Sequence, residues 1–177
     1  MFCSPSKTQE LVEKLVQLAA VNRFDGWLIN IENEIDAVYM ENLVYFLQEL
    51  TRLCKETIGT HSLVIMYDSI ISSGKLEWQN ELNASNKIFF DSCDGIFLNY
   101  CWDDDNLEKS AKTAGERKSD VFVGIDVFGR KTKHGPGFET KPALETVRQR
   151  QLSTALFAVG WTYERLSFED FEYSEQR

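Results

Sequence analysis

The 177-residue chain is 43% hydrophobic, which is ordinary for one soluble domain with a true core and excludes an intrinsically disordered protein. Its 28 acidic residues outnumber 19 basic ones, and the formal net charge of -9 would repel a phosphate backbone. The basic residues form no stripe interleaved with aromatics, so nucleic acid is not an expected partner.

In chain order, residues 8–20 repeat Leu11, Val12, Leu15, Val16 and Ala19 at helical spacing and predict an amphipathic helix. Residues 26–32 are the first of five short apolar runs that read as buried parallel strands. The others are 62–68, 95–102, 120–127 and 154–161. Residues 36–57 place Val38, Leu43, Phe46, Leu47, Leu50 and Leu53 three or four apart, and Gly59 follows as a stop signal. A shorter, more polar helix is expected over 106–118, and another over 142–152, where Pro142 suits the first helical turn. Strand starts recur roughly 30 residues apart, the length of a βαβ unit, so the fold class is α/β with right-handed crossovers.

Two architectures carry that pattern. One is an open five-stranded sheet. The other is an incomplete (β/α)8 TIM barrel, since a complete one takes ~250 residues and eight strands. The opening helix has no strand before it, as when a βα repeat is cut. On the barrel reading, residues 1–177 form part of a catalytic domain, about five C-terminal βα units without the N-terminal strands. A barrel places polar groups at the carboxyl end of nearly every strand. Here the runs end in Asn30 and Glu32, Tyr67 and Asp68, Asn99, Tyr100 and Trp102, Asp126, and Trp161, Tyr163 and Glu164. That distribution favours the barrel.

These ends are rich in aromatics and carboxylates and poor in cations. Such a lining suits a neutral polyhydroxylated ligand, whose C–H faces stack on aromatic rings while amides and carboxylates bond its hydroxyls. Side chains alternate along a strand, so Leu28, Asn30 and Glu32 share one face and Trp27, Ile29 and Ile31 the other. A bare N-x-E is ordinarily no more than the polar end of a strand. No cofactor or metal is expected: Gly135-Pro136-Gly137 is a turn with neither the spacing nor the lysine of a phosphate loop, and His61 and His134 are too isolated for a histidine metal site. Cys3, Cys54, Cys93 and Cys101 lie far apart, and the start M-F-C-S-P-S-K-T-Q-E has no apolar signal core, which predicts a reducing, cytosolic setting. No run approaches the ~20 apolar residues of a membrane helix.

Residues 25–32 match in register the chitinase pattern D-x-x-D-x-D-x-E, with Asp25 at its first Asp, Leu28 at its second, Asn30 at its third and Glu32 at its acid. With those departures, F-D-G-W-L-I-N-I-E resembles the endo-β-N-acetylglucosaminidases of glycoside hydrolase family 85. The resemblance continues through M-Y-D-S at 66–69, L-E-W-Q-N-E-L-N at 76–83, F-F-D-S-C-D-G-I-F-L-N-Y-C-W at 89–102, V-G-I-D-V-F-G-R at 123–130 and A-L-F-A-V-G-W-T-Y-E at 155–164. It implies cleavage within the N,N′-diacetylchitobiose core of N-glycans, on glycoproteins or free oligosaccharides, by substrate-assisted catalysis. It also implies that Asn30 orients the sugar acetamide, that Glu32 is acid then base, and that Tyr67, Trp78 and Trp102 line the glycan site. Asn99, Asp126, Trp161 and Tyr163 are further candidate substrate contacts, with an Asp126–Arg130 pair holding a loop as the alternative for Asp126. A catalytically inactive glycan-binding or structural remnant is the competing reading.

Overall fold

The computed structural model describes residues 2–130, 132–158 and 160–175. Helix α1 (Pro5–Asn22) starts where the Ser4 hydroxyl accepts the Lys7 backbone N–H at 3.4 Å, and Pro5 occupies a first-turn position that needs no N–H bond. Strand β1 (Gly26–Ile29) follows. Asp36 caps a short 3-10 turn (Ala37–Tyr39) that leads into α2 (Met40–Thr57). Strand β2 (Leu63–Tyr67), the single-turn helix α3 (Lys87–Phe90) and β3 (Gly95–Leu98) come next. A reciprocal Asp103–Asn106 capping box opens α4 (Asp104–Ala114), which runs through a 3-10 segment into β4 (Val121–Asp126). Helix α5 (Lys141–Arg148), β5 (Ser153–Phe157), α6 (Trp161–Arg165) and α7 (Phe168–Glu175) complete the order.

The five strands are all parallel and lie in sequence order, β1-β2-β3-β4-β5. A doubly wound sheet would reverse its strand order at a switch point, and this one does not. It is half of a barrel, as the polar strand ends predict. Among the described residues neither β1 nor β5 has a second strand partner.

Register assigns the two faces. Trp27 pairs with Val64, Met66 with Ile96 and Ile96 with Val121, which puts Val64, Met66, Ile96, Leu98, Val121, Val123 and Ile125 toward the helices, where all are buried. They feed two apolar clusters. One joins α1 and α2 to β1 and β2 through Val12, Leu43, Leu47 and Met66, and the other joins α4 and α5 to β3 and β4 through Leu107, Leu98, Val123 and Val147. Leu28, Tyr67, Phe97 and Gly124 fall on the opposite, interior face.

Close approach explains the glycine of F-D-G-W-L-I-N-I-E. Gly26 has a φ of 155°, and a Cβ there would lie 1.8 Å from the Leu63 carbonyl oxygen. Only glycine lets β1 and β2 pair at that point.

The strands are shorter than their apolar runs suggest. β3 stops at Leu98 rather than residue 102, and β5 at Phe157 rather than 161. After β5, Ala158 takes a positive φ of 63° and Gly160 caps α6, so the chain turns into a helix. Val159, within the expected strand, lies outside the described residues.

Candidate active site

Beyond β1 the chain keeps its alternation, and Asn30 and Glu32 emerge side by side at the carboxyl end. The Asn30 Nδ2 donates to Glu32 Oε1 at 3.1 Å. The backbone between them is pinned from the neighbouring strand, because the Ser69 hydroxyl donates to the Ile31 carbonyl at 2.6 Å. The three residues after Met66 thus divide the work: Tyr67 faces the interior, Asp68 anchors the following loop, and Ser69 fixes the Asn30–Glu32 pair.

A groove of about 470 Å³ opens at these strand ends, lined by Glu32, Tyr67, Trp78, Asn99, Tyr100, Cys101 and Arg130. A larger cleft, about 640 Å³, runs along the free edge of β1 between α1 and residues 28–36, and shares Glu32 with the groove. Its walls are largely apolar, from Leu11, Leu15, Ile29, Ile31 and Phe46. The groove, where aromatics, amides and two opposite charges converge, is the candidate site.

Tyr67 packs edge-on against Phe97, with ring centroids 5.4 Å apart, and its hydroxyl donates to Asn99 Oδ1 at 3.0 Å. Burial, followed by the negative charge of Glu32, pushes the phenol well above the ordinary tyrosine value. It therefore stays neutral throughout the physiological range.

Trp78 stands on the loop between β2 and α3, which Asp68 holds in place. That carboxylate is 1% exposed and accepts from Gln79 N (3.2 Å), Asn80 N (2.7 Å), Asn86 Nδ2 (3.0 Å) and Asn99 N (3.4 Å). Burial outweighs those donors and lifts its pKa to about 6.

Asp126 plays the same anchoring part after β4. It is 1% exposed and accepts from the backbone N–H of Phe128 and of Arg130, both at 3.1 Å, and from Arg130 Nε (2.9 Å) and Nη2 (3.1 Å). Arg130 also lies over the Phe128 ring at 4.9 Å, and it is Arg130, rather than Asp126, that reaches the groove. Burial alone would raise the Asp126 carboxyl, but Arg130 and the two backbone donors hold it below the usual range. With a folded pKa below the unfolded value of ~3.9, this group adds stability above about pH 4 and loses it as pH falls through the folded pKa. Asp126→Ala should cost ~1–3 kcal/mol near neutrality by stranding the two backbone donors, and should flatten the acid limb of stability against pH. Urea unfolding between pH 2 and pH 7 checks both (roughly the window of the shift). An unchanged acid limb would show that the carboxylate is not held as described.

Trp102 does not line the groove. It is 5% exposed, its Nε1 donates to the Gly124 carbonyl at 2.7 Å, and it belongs to the cluster beneath β3 and β4. A buried indole N–H needs an acceptor, and that carbonyl supplies it. Trp161 is likewise elsewhere: it begins α6, sits over Gly137, where a Cβ would be 2.3 Å from the indole, and meets Phe138 edge-on at 5.5 Å. Tyr163 is on the same helix, 74% exposed, and packs edge-on to Phe171. Asp25, matched to the first Asp of the chitinase pattern, lies before β1 at the opposite end of the strand, 3.6 Å from His61 Nε2.

Tyr100, Arg130, Asp68 and Asn80 complete the site beyond the residues picked as candidates. Tyr100 stacks on Phe157, with centroids 5.7 Å apart and planes 17° from parallel. For Arg130 the signal was its spacing of four from Asp126. For Asn80 the sequence carries no signal, because its contacts are with Asp68, Asn99 and Cys101.

Residues 2–177 match the model of a family described as glycosyl hydrolase family 85. Among curated proteins, the cytosolic endo-beta-N-acetylglucosaminidase of Mus musculus is 47% identical over 169 residues, which are 96% of this chain and 23% of that protein. The cytosolic endo-beta-N-acetylglucosaminidase 1 of Arabidopsis thaliana is 44% identical over 177 residues, 100% of this chain and 26% of that protein. The chain thus spans about a quarter of the length of the curated relatives it matches. Among solved structures, the glycoside hydrolase domain of Endo-D from Streptococcus pneumoniae R6 superposes with a TM-score of 0.69 at 25% identity, covering 93% of this chain and 27% of that one.

Proposed function

The chain belongs to glycosyl hydrolase family 85, and from that premise we propose that it carries the acid/base machinery of an endo-β-N-acetylglucosaminidase acting on the N,N′-diacetylchitobiose core of N-glycans. The observation that carries this reading is the Asn30–Glu32 pair, 3.1 Å apart at the carboxyl end of β1, with Glu32 opening onto a groove that also holds Tyr67, Trp78, Asn99 and Tyr100. The aromatic members offer faces for the C–H sides of sugar rings, and the amide and hydroxyls offer bonds to their polar edges.

The proposed chemistry needs no nucleophile from the protein. The 2-acetamido oxygen of the sugar attacks its own anomeric carbon, and the bond to the leaving glycosidic oxygen breaks. Glu32 delivers a proton to that oxygen, and Asn30 orients the acetamide and stabilises the positive charge spreading onto its nitrogen. Glu32, now a carboxylate, removes a proton from the water that opens the resulting oxazolinium ring. Membership of this family and the names of the relatives support a cytosolic setting, and no helix among the described residues is long and apolar enough to cross a membrane.

Mass spectrometry of an N-glycopeptide incubated with the protein tests the reading. The expected product is a peptide that retains a single GlcNAc, from a high-mannose or a complex glycan. A peptide stripped of all sugar, or glycan bound but left intact, would overturn it.

A further inference from the structure

The hydrogen-bond polarity of the groove can be followed outward from one backbone donor. The Cys101 N–H lies 3.2 Å from the side-chain oxygen of Asn80, and a backbone N–H can only donate, so that atom must be the carbonyl oxygen. The same oxygen is 2.8 Å from the side chain of Asn99, which must therefore present its amide nitrogen. The other end of the Asn99 amide is then its oxygen, and it faces the Tyr67 hydroxyl at 3.0 Å. Tyr67 must give its only proton to Asn99. The phenol oxygen also accepts from the Trp78 side chain, a groove residue, which leaves one acceptor site for a ligand.

Asn80 is held for this task. Its φ is 56°, a left-handed conformation that asparagine tolerates better than other residues carrying a Cβ, and its own N–H is fixed on Asp68 at 2.7 Å. We propose that Asn80 is a positioning residue that sets, through Asn99, the direction of the Tyr67 hydroxyl, so that Tyr67 meets a bound sugar as a hydrogen-bond acceptor. The partner groups are those that donate: a ring hydroxyl or an amide N–H. This assignment rests on the glycan reading of the groove for its ligand, whereas the orientation itself stands on the hydrogen bonds alone.

Two variants separate position from mere stability. Asn80→Gly keeps the positive φ and deletes the acceptor, and Asn80→Asp keeps an oxygen facing Cys101 and Asn99. The Asn99 side-chain amide protons, followed by NMR in the free 177-residue chain, should exchange slowly in the parent and in Asn80→Asp but quickly in Asn80→Gly. Against a chitobiose-linked glycopeptide, Asn80→Gly should lower kcat about 10- to 100-fold with KM little changed, and Asn80→Asp should restore most of it.

Fast exchange at Asn99 in the parent would overturn the proposal without any variant having to fold. So would slow exchange that Asn80→Gly leaves untouched, or a kcat that survives loss of that protection. A parent chain that neither binds nor cleaves glycan would defeat the glycosidase reading instead, and the Asn80–Asn99–Tyr67 orientation would still be judged by the exchange data.

Discussion

Glu32→Gln should remove glycan hydrolysis while leaving glycan binding measurable. The substitution is close to isosteric, and Gln keeps an oxygen able to accept the Asn30 amide that now donates to Glu32 Oε1 at 3.1 Å. What it loses is a transferable proton. Positioned general acids contribute ~10²–10⁴-fold, and the same group is asked to serve again as base, so kcat should fall by at least that range with little change in glycan affinity. Near-normal turnover in Glu32→Gln would mean that the acid is another residue.

Part of this candidate site is legible in the sequence, for a physical reason. Strand alternation is a local rule, so the shared face of Leu28, Asn30 and Glu32 follows from spacing alone, and parallel register carries it to Tyr67 through β2. The half-barrel followed from polar residues recurring at one end of every apolar run. The three aromatic candidates that sit elsewhere show where such rules stop. Whether Trp102 enters the groove or the core depends on the Gly124 carbonyl, 22 residues away, offering its indole an acceptor. Trp161 and Tyr163 belong to the last apolar run only if β5 continues past Phe157, and the positive φ of Ala158 ends it. Asp126 resembles a site carboxylate until its four donors are counted, and Arg130 is what it presents. Asn80 was out of reach for the same reason, because its role arises from contacts with Asp68, Asn99 and Cys101 that no sequence window contains.

Asn30→Ala should damage one half of the reaction and spare the other. On the proposed path, Asn30 organises a nucleophile that belongs to the sugar, so its work is finished once the oxazolinium ring has closed. Glu32 is needed on both sides of that point. The Asn30 amide also touches Glu32 directly, so the Ala variant loses an acetamide partner and frees one lone pair of the acid at once. An orienting or charge-stabilising group of this kind is worth ~10²–10³-fold, and with the acid left less well placed, hydrolysis of an intact glycan should fall by at least that factor. Offered a preformed sugar oxazoline and a GlcNAc acceptor, the same variant should still join them, because the step that required Asn30 has been bypassed and Glu32 remains as base. The coupled product should then persist, since cleaving it again needs the missing group. Loss of oxazoline transfer as complete as the loss of hydrolysis, in a variant that still folds and binds glycan, would show that Asn30 does more than orient the acetamide. Full hydrolysis by the same variant would reduce it to the polar end of a strand.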